Sequence, residues 1–261
     1  MGSASRNAIA SARELLATLG LTSRVGEDLL SACRVVADSQ QLQNILADPA
    51  FGDSEKKKLV ETVFKSLDEK SRLLLTRLSS SRWSIKSDLV SGIEELGLRS
   101  IAKSTGAGTD IPKELFKIGQ LIGSNGELEL AVGSKLGDPN AKAKLVEKLF
   151  SGKASKETMA IITHLVRSPR GRRIGALVKY ASSIVADESA LKIATVTVAA
   201  ELNAKQVAQL QKSLATNYGD LRIQQVIDPG VIGGFRINIG NIVIDETIAT
   251  RLKDLKLQLV G

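Results

Sequence analysis

The side chains able to do chemistry in this chain are few and far apart. His164 is the only histidine and Cys33 the only cysteine, 131 positions away. A nucleophilic triad with histidine as base needs a serine and an acid converging on the imidazole. Nothing around His164, set between Thr163 and Leu165 on a predicted helix, suggests one. The residue reads as a structural histidine at a helix surface. Zinc takes Cys and His at short spacings, which this pair cannot supply, and the carboxylates are dispersed without an EF-hand loop. Gly230-x-x-Gly233-Gly234 has the glycine content of a phosphate loop, but that chemistry needs a strand, a glycine turn and then a helix N-terminus. Here the strand pattern FRINI comes after the glycines, and no Gly-Lys-Ser/Thr occurs. The glycines read instead as a turn at Gly230 and a bulge or close strand contact at Gly233 and Gly234. The expectation is a non-catalytic protein with no metal site and no cofactor.

Two basic clusters remain, Lys56-Lys57-Lys58 and Ser168-Pro169-Arg170-Gly171-Arg172-Arg173, within a net charge of +8. Such a balance suits nucleic acid, anionic lipid or an acidic partner, and the second cluster has the composition of a loop that grips phosphates. No helix with polar base-reading residues accompanies them, and only eight aromatics are available for stacking. The clusters read as solvated or partner-facing surface. A basic helical nucleic-acid-binding protein is the alternative function, and steeply salt-dependent binding to duplex DNA would favour it.

The elements that must position these residues are mostly helical. At 261 residues, with 43% hydrophobic and 25% charged, the chain has room for two or three compact domains. Aromatics make up 3%, so the core must come from Leu, Ile, Val and Ala. A single cysteine excludes disulfides within the chain and fits a reducing, cytoplasmic setting. No run of about 18 apolar residues is present to span a membrane, and the first residues lack a signal-peptide pattern.

Ile9, Ala12, Leu16 and Leu19 share one face of a helix over 6–19, which Gly20 stops. Val25, Leu29, Ala32, Cys33 and Val36 line a second helix, and Leu42, Ile45 and Leu46 a third ended by Asp48-Pro49. A fourth starts at Asp53, with Leu59, Val60, Val63 and Phe64 facing inward. Leu73, Leu74, Leu75 and Leu78 define a fifth, and residues 84–101 a sixth. These six amount to a helical bundle over 1–105, followed by a Gly/Ser/Thr-rich linker, KSTGAGT.

Residues 28–64 then align without a gap on residues 114–150, at an offset of 86. Lys56, Lys58, Leu59, Val60, Glu61 and Phe64 recur as Lys142, Lys144, Leu145, Val146, Glu147 and Phe150. After one inserted residue, Thr76, Leu78 and Ser81 recur as Thr163, Leu165 and Ser168. Apolar spacing alone would match the leucines but not Lys, Glu, Thr and Phe in register. Residues 106–187 are therefore expected to be a second, partial copy of the bundle, without a copy of its first helix. That copy either docks on the first bundle or lengthens the link to the C-terminal domain.

From Leu191 the period becomes two. Residues 193–198 and 221–227 read as strands around a helix capped by Asn203 and Gln206. Asp228-Pro229-Gly230 is a turn, Phe235 to Ile239 a strand, and Gly240-Asn241 a tight hairpin. Asp245 then caps a helix bearing Ile248, Leu252, Leu255 and Leu259. Residues 188–261 thus form a small β-α-β-β-β-α domain, and the whole chain is mainly α with a small α/β C-terminal domain.

Asp228, Pro229, Gly233, Gly234, Gly240, Asp245, Thr247, Arg251 and Leu252 stand in a pattern that resembles the C-terminal signature of the ATP synthase delta subunit family, which includes the mitochondrial oligomycin-sensitivity-conferring protein. Glu246-Thr247 departs from the family's usual Gly-Ser, at a helix N-terminus. Leu46, Pro49, Lys57, Leu59, Leu78 and Arg82 follow the family's weaker N-terminal pattern, and actinobacterial members resemble this chain in carrying a duplicated helical module.

The resemblance implies a peripheral-stalk, or stator, subunit of a proton-translocating rotary ATP synthase, present as one copy per complex. It implies binding to the alpha subunit's N-terminal helices and to the C-terminal helices of b-type stalk subunits, without direct nucleotide or nucleic acid. It also implies a peripheral place at the cytoplasmic face of the cell membrane. The first helix starts within about six residues of Met1, so no fused anchor is expected and membrane attachment would be indirect. The family's alpha-subunit groove lies between the first and fifth helices, which here carry Ile9, Ala12, Leu16, Leu19, Leu74 and Leu78. The same residues could equally do no more than close the bundle core.

Overall fold

In the computed structural model the helices begin where local chemistry stops the preceding turn. Ser39, Asp68, Asp110, Asn125, Asp138 and Ser155 each accept a backbone N–H of the following first turn through the side chain, satisfying donors that a helix start leaves unpaired. The structure describes residues 1–105, 109–134, 137–188, 192–218, 221–239, 242–248 and 250–252. The first helices are α1 (Ser3–Thr18), α2 (Ser23–Asp38), α3 (Gln40–Ala47), α4 (Asp53–Val63), α5 (Glu69–Ser79) and α6 (Ser87–Ser104). They are followed by α7 (Ile111–Gly123), α8 (Gly126–Gly133), α9 (Pro139–Phe150), α10 (Lys156–Arg167) and α11 (Ile174–Glu188). The chain ends in β1 (Lys192–Val198), α12 (Ala204–Tyr218), β2 (Leu221–Ile227), β3 (Phe235–Ile239) and β4 (Ile242–Asp245). Two compact units result, residues 1–188 and 189–261. Within the first, Val63 is 42% exposed rather than inward, because Lys56 takes the inward stripe of α4 beside Val60 and Phe64.

The duplication is legible in three dimensions. Helices α8 to α11 start where α3 to α6 would after the shift found in the sequence; α3, α4, α5 and α6 begin at Gln40, Asp53, Glu69 and Ser87, and α8 to α11 at Gly126, Pro139, Lys156 and Ile174. Equivalent core positions are equally buried, Phe64 and Phe150 both at 4%. A polar clasp recurs as well. Asp28 Oδ2 accepts the Asp68 N–H at 2.7 Å, and Glu114 Oε2 accepts the equivalent Ser155 N–H at 2.9 Å.

The second copy owns no counterpart of α1, and α6 takes that place. In the first copy α1 packs on α5 and α6; in the second, α10 and α11 pack on α6. Ser5 on α1 accepts the Ser84 N–H ahead of α6 at 2.9 Å, and Ser91, the same offset along, accepts from Arg170 ahead of α11 at 3.3 Å. Helix α6 is thus the last helix of one bundle and the first of the next. It buries residues on nearly all sides, Leu89, Ile93 and Leu96 toward the first core and Leu98 and Ile101 toward the second, as a helix between two layers must. Close approach of α2 depends on Gly97, where a Cβ would lie 2.7 Å from Leu30 Cδ2. The linker expected from Lys103 starts later, because α6 runs to Ser104 and Lys103 Nζ donates to the Ala17 carbonyl at 2.9 Å. Residues 106–108 lie outside the described residues.

The C-terminal unit is a four-stranded mixed sheet in the order β2-β1-β3-β4. Strands β1 and β2 are parallel and joined through α12, while β3 runs antiparallel to both β1 and β4. Ala194, Val196, Val198, Ile237 and Ile239 form one buried face, and Leu214 of α12 packs on it. The capping box forms as expected: Gln206 N–H donates to Asn203 Oδ1 and Asn203 N–H to Gln206 Oε1, each at 2.9 Å.

Of the two readings for Gly233 and Gly234, close contact is the one observed. Gly234 has φ +78, and a Cβ there would strike the Glu246 carbonyl oxygen and lie 3.0 Å from Thr247 Cα. Backbone cannot yield cheaply, so Gly234→Val should cost the C-terminal unit at least about 2 kcal/mol. Limited proteolysis is expected to cut that unit while leaving residues 1–188 resistant; unchanged resistance throughout would refute the contact.

Candidate functional site

The signature residues close a structural loop on itself. Asp228 ends β2, with its N–H on the Val198 carbonyl at 2.8 Å and its Oδ1 accepting the Gly230 N–H at 2.9 Å; Pro229 between them fixes the turn. Across the sheet, Asp245 Oδ1 accepts the Thr247 hydroxyl at 2.7 Å and the Thr247 N–H at 3.1 Å. Its Oδ2 meets Arg236 Nε at 3.0 Å. The Thr247 hydroxyl first, then its N–H, hold the Asp245 carboxyl down at about 2. The Gly233 carbonyl accepts the Ile248 N–H at 3.1 Å, and Arg251 pairs with Glu246 at 2.6 Å. The Gly233–Ile248 bond ties residues 228–234 to 245–251, and the other polar groups named here shape each segment locally or anchor it to β1 and β3. Gly240, Leu255 and Leu259 lie outside the described residues.

The residues expected to line a groove on α1 and α5 lie mostly in the first core. Ile9, Ala12, Leu16, Leu74 and Leu78 are buried and Leu19 is half-buried. Two contacts set the helices antiparallel: Lys70 Nζ reaches the Gly20 carbonyl, and Arg77 Nε donates to the Ser11 hydroxyl at 3.1 Å. Leu73, 46% exposed, thereby lies level with half-buried Leu15. Leu15, Leu19 and Leu73 are the apolar side chains this face offers outward.

His164 corrects the sequence reading. It is 1% exposed rather than at a surface, because α6 covers the flank that its counterpart Arg77 presents to solvent and α1. Its Nε2 lies 3.2 Å from Glu94 Oε1 and its Nδ1 3.1 Å from Arg34 Nη1. A guanidinium can only donate, so Nδ1 must accept, and the proton sits on Nε2 facing the carboxylate. Arg172 Nη2 holds both Glu94 oxygens at 2.9 Å, and Arg170 pairs with Oε2. Arg172 also stacks on the Tyr180 ring at 5.5 Å. Half of the loop read as solvated basic surface is therefore folded onto one buried acid. Five residues further along α6, Arg99 is held by Glu95 at 2.9 Å, Asp187 at 2.7 Å and Glu188 at 3.0 Å. Glu94 and Arg99 are thus met mainly by the second copy, whereas the buried Asp88 of the same helix accepts from the Ser5 hydroxyl of α1 at 2.6 Å.

The electrostatics follow from this geometry. Burial disfavours the Glu94 carboxylate, but the His164 hydrogen bond and the charges of Arg170 and Arg172 outweigh it, and its pKa is lowered. Burial, with Arg34 and Arg170 nearby, lowers that of His164 against the pull of Glu94. Among the described residues no three metal-ligating side chains converge. Burial pushes the Cys33 thiol up to about 12, so it stays protonated.

Residues 97–259 match the family model described as ATP synthase delta (OSCP) subunit. The "ATP synthase subunit delta" of Leifsonia xyli subsp. xyli is 48% identical over 263 residues, covering all of both chains. The protein of that name from Streptomyces avermitilis is 34% identical over 99% of this chain and 98% of its own. Its Streptomyces griseus counterpart is 33% identical over all of both. A chain of the Toxoplasma gondii mitochondrial ATP synthase hexamer covers 64% of this chain and 95% of that one, at TM-score 0.40 and 19% identity, too slight a likeness to carry an argument.

With both folded pKa values below the unfolded ones, the unfolded chain takes up protons first as pH falls. The stabilisation is complete above the ordinary histidine value of 6.5 and is lost as pH drops through the folded values. The unfolding free energy of the helical unit, read by urea denaturation, should fall from pH 7.5 to pH 5 by up to about 1.4 kcal/mol per pH unit for one proton, and His164→Gln should flatten the upper part of that slope. Glu94→Gln removes the charge that meets the partly buried guanidinium groups of Arg170 and Arg172 and is expected to cost about 1.5–3 kcal/mol. A cost under about 1 kcal/mol, read by urea denaturation, would mean the cluster is not desolvated.

Proposed function

Because the chain belongs to the ATP synthase delta (OSCP) subunit family, we propose that it is the peripheral-stalk, or stator, subunit of a proton-translocating rotary ATP synthase. In that role it links the catalytic head to the membrane-anchored b-type subunits and resists rotation, without catalysing a step itself. The observation that carries this reading is the 48% identity over the full length of both chains to an ATP synthase subunit delta. The physical requirement is stiffness: counter-torque passes only through parts that do not yield, and buried ion pairs with shared cores give the helical unit that property. Among the described residues no helix is long and apolar enough to cross a membrane; in the proposed role the chain lies peripherally at the cytoplasmic face of the membrane, held there by its partners.

The alpha subunit's N-terminal helix would rest on α1 and α5, over Leu15, Leu19 and Leu73, with the buried Ile9, Ala12, Leu16, Leu74 and Leu78 setting the shape beneath. The C-terminal helices of the b-type subunits would be held by the C-terminal unit. The corresponding face of the second copy, between α6 and α10, is lined by α2 of the first, so one chain should accept one such alpha helix.

Reconstitution tests the whole reading. Added to head and membrane sectors depleted of delta, the chain should restore proton-driven ATP synthesis; failure to restore it would end the stator proposal. For the docking face, calorimetry with an alpha N-terminal peptide should give a stoichiometry of one. Leu73→Glu should weaken that binding about tenfold or more while leaving the fold stable, since Leu73 is exposed. Leu74→Ala should instead destabilise the bundle by about 2–5 kcal/mol. Unchanged affinity in Leu73→Glu would move the docking face elsewhere.

A further inference from the structure

Between α2 and α10 the two helical copies leave a cleft of about 300 Å³. Its mouth carries the exposed side chains of Glu27, Glu147 and Lys156. Deeper lie Arg34, Thr163 and Arg167, all half-buried, over the buried ring of His164. The charges in this depth are not balanced. Arg34 spends one guanidinium nitrogen on His164 Nδ1, and among the described residues neither Arg34 nor Arg167 has a carboxylate within salt-bridge distance. Arg167 Nε is buried and has no hydrogen-bond partner. Burial, and then the charge of Arg167, pull the Arg34 guanidinium below its ordinary value. Two cations facing one small space repel each other, and a buried donor without an acceptor costs about 1–3 kcal/mol. Elsewhere in this unit the buried guanidinium of Arg99 and the partly buried ones of Arg170 and Arg172 each have a carboxylate within salt-bridge distance.

We propose that this cleft is a binding site for a small oxyanion of the phosphate class, held between the guanidinium groups of Arg34 and Arg167 with the Thr163 hydroxyl beside them. A tetrahedral oxyanion supplies acceptors to both forks at once, which is the geometry guanidinium favours. The carboxylates of Glu27 and Glu147 at the mouth oppose a long polyanion, so the ligand is a single small anion rather than a nucleic acid or a lipid surface. Bound there, it bridges the two copies next to the His164 cluster and strengthens their association. The proposal does not depend on the stator reading.

The test is calorimetric titration of the full chain with inorganic phosphate, in a phosphate-free buffer of constant ionic strength. Saturable binding of one phosphate is expected, together with a phosphate-dependent rise in the thermal midpoint. Arg167→Gln should weaken binding about tenfold or more, and Arg167→Lys, which keeps the charge but not the fork, should weaken it less. Lys57→Gln, at an exposed residue far along the sequence, should leave it within about twofold. Circular dichroism of each variant checks that it is folded, and Arg34→Gln provides a second disruption if Arg167→Gln is not. Absence of saturable binding, or an equal loss in Lys57→Gln, would overturn the proposal.

Discussion

The carboxylate of Glu94 has no exposed surface, and an ion so placed is tolerated only when fully met. His164, Arg170 and Arg172 meet it, and all three belong to the second helical copy. Arg99, on the same helix, makes the reverse demand and is answered by Asp187 and Glu188. The two charges do little for net stability compared with apolar packing of the same volume, but each is costly to strand. Between them they fix the register of α6 against α10 and α11, and Leu30, Leu98 and Ile101 complete the second core from the first. The two bundles are therefore one helical unit with a shared helix, not beads on a string.

That sharing bears on the proposed role. A part that resists torque must not hinge between its modules, and a helix that is last in one bundle and first in the next packs into both cores. It also makes the copies unequal. The first presents α1 and α5 to a partner, whereas the second spends the equivalent flank on the first. Duplication here thickens the helical part without doubling its free faces.

Local rules were readable from the sequence because their partners lie within a few residues. The Asn203–Gln206 box and the Asp228-Pro229-Gly230 turn form where expected, whereas the cap expected of Asp245 is made by Thr247, whose hydroxyl accepts the Thr250 N–H while Asp245 holds that hydroxyl in place. The copies were legible because Lys, Glu and Phe recur in register, not only leucine. The burial of His164 was not, since its meaning rests on Glu94, 70 residues earlier, and on which helix covers that flank. Arg77, its counterpart in the first copy, is exposed all the same, because equivalent positions in a repeat need not have equivalent neighbours. Arg170 and Arg172 looked like solvated charge because composition does not say what faces a loop. One signal was available. Leu98 and Ile101 fall off the stripe of Leu89, Ile93 and Leu96, and a helix apolar on two faces is a helix between two layers.

The shared-helix account can be tested with two probes the sequence itself provides. Trp83 is the only tryptophan and lies in the first copy, and His164 is the only histidine and lies in the second. Equilibrium urea unfolding should be followed by Trp83 fluorescence and by the His164 imidazole proton resonance on the same sample. The account requires the two transitions to coincide, as probes of one cooperative unit do. Loss of the native His164 signal at a clearly lower urea concentration, with Trp83 still native, would show two separable bundles and contradict it.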